Sequence, residues 1–231
     1  MKLLSRSDFG AELIRQVKEN SRVLICINVA VLVVLLGVVL VCLQTGLPIA
    51  NFTRDPAAIT RSNPFFGFLS NIGVLFWCAS AAICLFSATL LNARLAEDEG
   101  SLFLLSSGLL SLLLLLDDLF LLHEQVFPEY FSIDQETTIA GYGAITIAYL
   151  ARFRRVILKT EYVFLALALG FFGLSQVADY LQDRVEIPWH RLFEEGFKLL
   201  GIVNWTGYFA RTSRRQVCPS TGQTEGRRHD I

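Results

Sequence analysis

Two adjacent carboxylates, Asp117 and Asp118, stand inside residues 112–124, LLLLLDDLFLLHE. A charged side chain at the centre of a membrane helix costs about 2.5–3.5 kcal/mol on insertion scales. A pair therefore requires a partner, a water-filled cavity or a metal. His123 and Glu124 follow within two turns. Asp117 and Glu124 are seven residues apart and share a helical face, while Asp118 points about 100° away. Two further polar stripes occur downstream. Gln176, Asp179 and Asp183 fall at i, i+3 and i+7, and His190, Glu194 and Lys198 fall four apart, with Glu195 beside them. Glu194 before Lys198 is the favourable order for an ion pair on one helix.

Carboxylates and imidazoles are ligands for Zn, Mn or Fe. A catalytic zinc takes about three protein ligands and keeps one position for water. Asp118, His123, His190 and Glu194 are the expected metal ligands, with Asp117, Glu195 and Lys198 as catalytic groups. Water activated there would hydrolyse an ester or amide of an outer-leaflet lipid or another small molecule. Two readings stand beside this one. In a proton-coupled carrier, Asp117, Asp118, Glu194 and Lys198 form the relay. In a scaffold protein, the same groups tie the third and sixth helices together. Asn71 and Asn204 are the only expected polar steps beyond this cluster, so the path across the membrane looks incomplete. Two histidines could hold a haem, but the surrounding carboxylates suit it poorly. No P-loop, GxSxG or HExxH motif is present.

These groups must be positioned by helices. Hydrophobic residues make up 53% of the chain and the mean hydropathy is +0.50. About 20 helical residues cross roughly 30 Å of hydrocarbon. Six segments qualify: 23–43, 66–91, 102–122, 138–153, 162–181 and 188–208. The expected fold is all-α, a polytopic membrane helix bundle with about six transmembrane helices. The sixth segment is the most polar. Residues 1–22 form a cytoplasmic lead, read as an amphipathic helix on the membrane surface. Residues 23–210 form the transmembrane domain, and 211–231 a disordered cytoplasmic tail. The apolar run 23–43 is too long for a signal peptide and reads as a retained anchor.

Charge placement sets the expected orientation. Of the 20 Lys and Arg, fifteen fall in the lead, the tail and the even-numbered connections, whereas Arg54, Arg61, Arg184 and Arg191 fall in the others. The positive-inside rule places both termini in the cytoplasm, most simply at the cell (inner) membrane. The third and fifth helices then end, and the sixth begins, at the outer surface, which gathers the polar groups there. Besides the lipid bilayer, the expected partner is a lipid or small-molecule substrate. The formal net charge of −1 gives no basis for nucleic acid binding. The five cysteines show no CxxC spacing and four lie in apolar runs, so neither disulfides nor a cysteine metal site is expected.

Gly141, Ala144 and Ala148 share a face, as do Gly170 and Gly173, and such surfaces bring membrane helices close. Trp189, Trp205, Tyr162, Tyr180 and Tyr208 lie near helix ends and suit the membrane interface, while Trp77 suits a packed position. Ser70 in an early helix, with Asp118 and His123 in a middle one, resembles the helical membrane hydrolases of the alkaline ceramidase and adiponectin-receptor type. That resemblance implies a zinc-dependent amidase. Glu194 and Glu195 stand where those families carry a histidine pair, and six spans replace their seven.

Overall fold

The computed structural model describes residues 15, 17–92, 99–182 and 190–218. Among them the secondary structure is entirely helical, with no strand. The chain divides into two compact units at Phe66/Gly67. Residues 1–14 and 16 of the lead lie outside the described residues, as do residues 219–231 of the tail.

The first unit holds α1, Ser21–Thr45. Its run of Val and Leu carries side chains exposed along its length, such as Leu32, Val33 and Val34. Gly46 ends it in a left-handed conformation, φ 69°, with its N–H on the Cys42 carbonyl. Glycine adopts that cap without steric cost. The connection that follows is partly helical. Ala50–Thr53 and Pro56–Thr60 are short turns, the second capped by the Asp55 carboxylate accepting from Ala57 and Ala58 N–H.

The second unit contains α2 (Phe68–Asn92), α3 (Glu99–Phe120), α4 (Gln135–Ile157), α5 (Val163–Gln182) and α6 (His190–Val217). Among the described residues four helices are long and apolar enough to cross a membrane: α1, α2, α3 and α5. At 1.5 Å per residue, α4 and α6 are about 35 and 42 Å long, so length alone would let them span. Composition is what separates them. For α6 the reason is its place in the bundle. It packs on both α2 and α5, and Trp205 and Tyr208 on it are 1% and 0% exposed. A helix sheltered by protein need not present hydrocarbon to lipid.

Close packing runs in the order α4, α3, α2, α6, α5. The two outer members of this series, α4 and α5, are not closely packed on each other. Aromatic rings fill the middle. Trp77 stacks on Phe172 at 5.8 Å and meets Trp205 edge-on at 5.8 Å, and Trp205 meets Phe209 at 5.0 Å. Trp77 is packed, as its position suggested. Trp205 and Tyr208 are core residues, not interfacial ones, whereas Tyr162 and Tyr180 are exposed. Trp189 lies outside the described residues.

The close approaches also differ from expectation. Gly141, Gly170 and Gly173 have open space where a side chain would begin. A methyl added at Gly108 would lie 2.7 Å from Leu85, and one at Gly201 would lie 2.5 Å from the Phe172 ring. The tight crossings are thus α2 on α3 and α5 on α6, not a face of α4. At the other end of the bundle, Glu161 accepts hydrogen bonds from Arg211 and Arg215, joining the α4–α5 connection to α6. The Arg211 hydrogen bond, aided by both guanidinium charges, holds the Glu161 carboxyl below the usual carboxylate range.

Candidate functional site

Helix α3 stops at Phe120 because Leu121 adopts a left-handed conformation, φ 52°. A non-glycine residue there costs about 1–3 kcal/mol and persists only where its surroundings hold it. Leu122–Val126 then form a π-helical turn, followed by the short helix Phe127–Phe131. The break brings His123 back onto Asp117. Asp117 Oδ1 accepts from the His123 N–H at 3.0 Å and from the Tyr142 hydroxyl at 2.8 Å. Its Oδ2 lies 2.5 Å from His123 Nδ1. The other ring nitrogen, Nε2, is 3.6 Å from Glu124 Oε1. One buried carboxylate therefore fixes the α3 terminus, the imidazole and α4.

Burial lowers the His123 pKa, but the hydrogen bond and charge of Asp117, with the charge of Glu124, outweigh it against Lys198, and the net shift is upward. The sign follows by linkage. A raised pKa stabilises the fold fully below the free imidazole value of about 6.5, and the gain is lost as pH rises through the folded value. We expect the melting temperature of wild type to exceed that of His123→Gln most at pH 5.5, with the gap shrinking as pH rises. A gap that widens with pH would contradict this arrangement.

Asp118 faces another way. Its Oδ1 accepts a hydrogen bond from Lys198 Nζ, pairing α3 with α6. Its Oδ2 has no hydrogen-bond partner and lies near Gly73, where an added methyl would stand 3.7 Å away. The expected Glu194–Lys198 pair is not formed. Glu194 Oε2 lies 3.9 Å from Arg191, and the Glu194 carbonyl accepts from Ser175 Oγ at 3.0 Å. The reason is burial. The Asp118 side chain is 6% exposed against 17% for Glu194, and the deeper carboxylate gains more from the ammonium.

These groups line a cavity of about 450 Å³. Asp117, Asp118, His123, Glu124, Glu194 and Lys198 form much of its polar end. Trp77, Leu114, Leu150, Leu169, Phe172 and Trp205 supply apolar wall. Helix α4 contributes one face through Ile139, Tyr142, Gly143 and Thr146, and α5 contributes Phe172, Gln176 and Asp179. The cavity thus lies between the two helices that do not pack closely together.

Of the four expected metal ligands, Asp118, His123 and Glu194 have described side chains and His190 does not. Among the described residues no three His, Cys, Asp or Glu side chains converge so as to hold a metal ion. Asp118 is engaged by Lys198 and His123 by Asp117. Of the other expected groups, Asp117, Glu194 and Lys198 line the cavity and Glu195 does not. The His190 ring and Asp183 lie outside what is described. Ser70 sits on α2 away from the cavity lining.

Two features were not foreseen. Tyr142 reaches Asp117 from α4, and its sequence signal is the i, i+4 spacing of the polar Tyr142 and Thr146 on one face of that helix. Polar contacts also continue beyond the cavity. Trp205 Nε1 donates to Ser111 Oγ at 2.9 Å, Ser107 and Tyr149 share a hydrogen bond of 2.6 Å, and Tyr208 and Thr160 share one of 2.8 Å. Asn71 is exposed near the start of α2, and the Asn204 amide bonds its own helix at Leu200, so neither forms this path. No curated protein and no solved structure matches the chain. A family described as Domain of unknown function (DUF8692) matches residues 24–212, most of the length, and the chain belongs to that family.

Proposed function

We propose that this protein spans the membrane six times, with both termini cytoplasmic, and binds a small amphiphilic molecule in its outer-half cavity. The observation that carries the reading is the cavity itself: charged at one end and aromatic and aliphatic elsewhere, in a bundle with apolar helices. Ligand pockets of roughly 300–1,000 Å³ with mostly apolar walls and a few polar groups have this character. The asymmetry of Lys and Arg supports the orientation, and the length and shelter of α6 support its counting as a span.

Hydrolysis through a metal has less support: among the described residues no three ligating side chains converge, with the His190 ring outside them. A carrier is the second reading, favoured by the hydroxyl contacts from Ser111 to Thr160 that continue past Trp205.

Gly143 lines the cavity with open space at its Cβ position, so Gly143→Phe should fill the cavity without displacing a neighbour. The melting temperature in nanodiscs would be followed with decanol, decanoate and decyltrimethylammonium. At least one should stabilise wild type, and none should stabilise Gly143→Phe. Stabilisation of neither protein by any of the three would remove the binding reading.

A further inference from the structure

We propose that the ligand of this cavity is an amphiphilic organic cation, one amine or quaternary nitrogen on an apolar body. This rests on the binding reading above and names its ligand class. Among the described residues the lining carries five carboxylates, Asp117, Asp118, Glu124, Asp179 and Glu194, against one lysine, Lys198. That is a formal charge of −4 with His123 neutral and −3 with it protonated.

The internal cations are already committed. Lys198 serves Asp118, and His123 serves Asp117 and faces Glu124. Arg191, outside the lining, approaches Glu194 at 3.9 Å. Among the described residues no hydrogen bond or ion pair engages the Asp179 side chain. Asp118 Oδ2, on a side chain 6% exposed, also lacks a hydrogen-bond partner. A buried carboxylate oxygen without a donor and a carboxylate without a cation both favour a bound positive charge. An anion would meet repulsion, with no free ammonium among the described lining residues to receive it.

The walls fit the same ligand. Trp77, Phe172 and Trp205 offer aromatic surface to an apolar body, away from the carboxylates at the polar end. A bare metal ion is a poor match, since among the described residues no three ligating side chains converge. The charged nitrogen would sit between Glu124 and Asp179, and the apolar body would extend toward Trp77 and Trp205.

The test uses the full chain in phosphatidylcholine nanodiscs, with empty nanodiscs as reference. Decyltrimethylammonium, decanol and decanoate are titrated by calorimetry. The cation should bind at least tenfold tighter than decanol, with decanoate weakest. Asp179→Asn and Glu124→Gln should each weaken cation binding at least tenfold and leave decanol within twofold. If decanol and decanoate bind as tightly as the cation, or if both variants keep full cation affinity, the charge preference is wrong while the binding cavity stands. If none of the three binds, both proposals fall.

Discussion

Lys198→Leu is expected to destabilise the protein by about 3–5 kcal/mol, because removing one member of a buried pair strands the other. Asp118 is the stranded group: its side chain is 6% exposed and its second oxygen already lacks a hydrogen-bond partner. In a chain of this size the loss corresponds to a melting temperature lower by roughly 6–20 °C. Replacing both charges is a different matter, since an apolar pair of similar volume is often neutral. Lys198→Leu with Asp118→Leu should recover most of the stability. Lys198→Leu with Glu194→Leu should not, because Glu194 is not the lysine's partner. Thermal unfolding in detergent separates the two outcomes. Recovery in the Glu194 double variant alone would show that the helix-internal pair is the real one.

Trp205→Ala should cost about as much, on the order of 3–5 kcal/mol, for the loss of a buried aromatic side chain. Trp205 is 1% exposed, packs on Trp77 and Phe209 and donates to Ser111. Truncation removes ring contacts from α2 and α6 together and takes the donor from Ser111. It also deepens the cavity. Trp205→Phe, which keeps a ring but loses the N–H, should cost less than alanine. A tryptophan merely anchored at a membrane interface would tolerate both changes. A fall of only a degree or two for Trp205→Ala would therefore contradict the packed position.

Helix placement was largely legible because spanning length and apolar composition act locally. All six expected segments coincide with long helices, though only four meet a strict apolar criterion. The polar α6 could be anticipated because its aromatic residues and its charges lie on one helix of spanning length. Its burial between α2 and α5 was not, because that depends on neighbours. The importance of Asp117, Asp118 and Lys198 was visible from the cost of burying charge.

Their pairing was not visible. Glu194 is four residues from Lys198 and Asp118 is eighty, so helical spacing favoured the wrong partner. The His123–Asp117 contact is equally hidden, because nothing about leucine at position 121 announces a left-handed backbone. That single conformation returns the imidazole to Asp117. Small residues misled for a related reason. Gly141 and Gly170 have the spacing of a packing face, yet the bundle closes at Gly108 and Gly201. Only the chosen crossings distinguish one glycine from another.

A cavity open to the outer side of the membrane and able to hold a small amphiphile can be probed by cysteine labelling in intact cells, with the five native cysteines replaced. Gly143→Cys places a thiol in the cavity wall, and Arg154→Cys places one at the opposite end of α4. An impermeant thiol reagent added outside should modify Gly143→Cys and leave Arg154→Cys untouched. Added decyltrimethylammonium should slow the labelling of Gly143→Cys. Modification of Arg154→Cys from outside, or labelling of Gly143→Cys at the same rate with and without the amphiphile, would contradict the account.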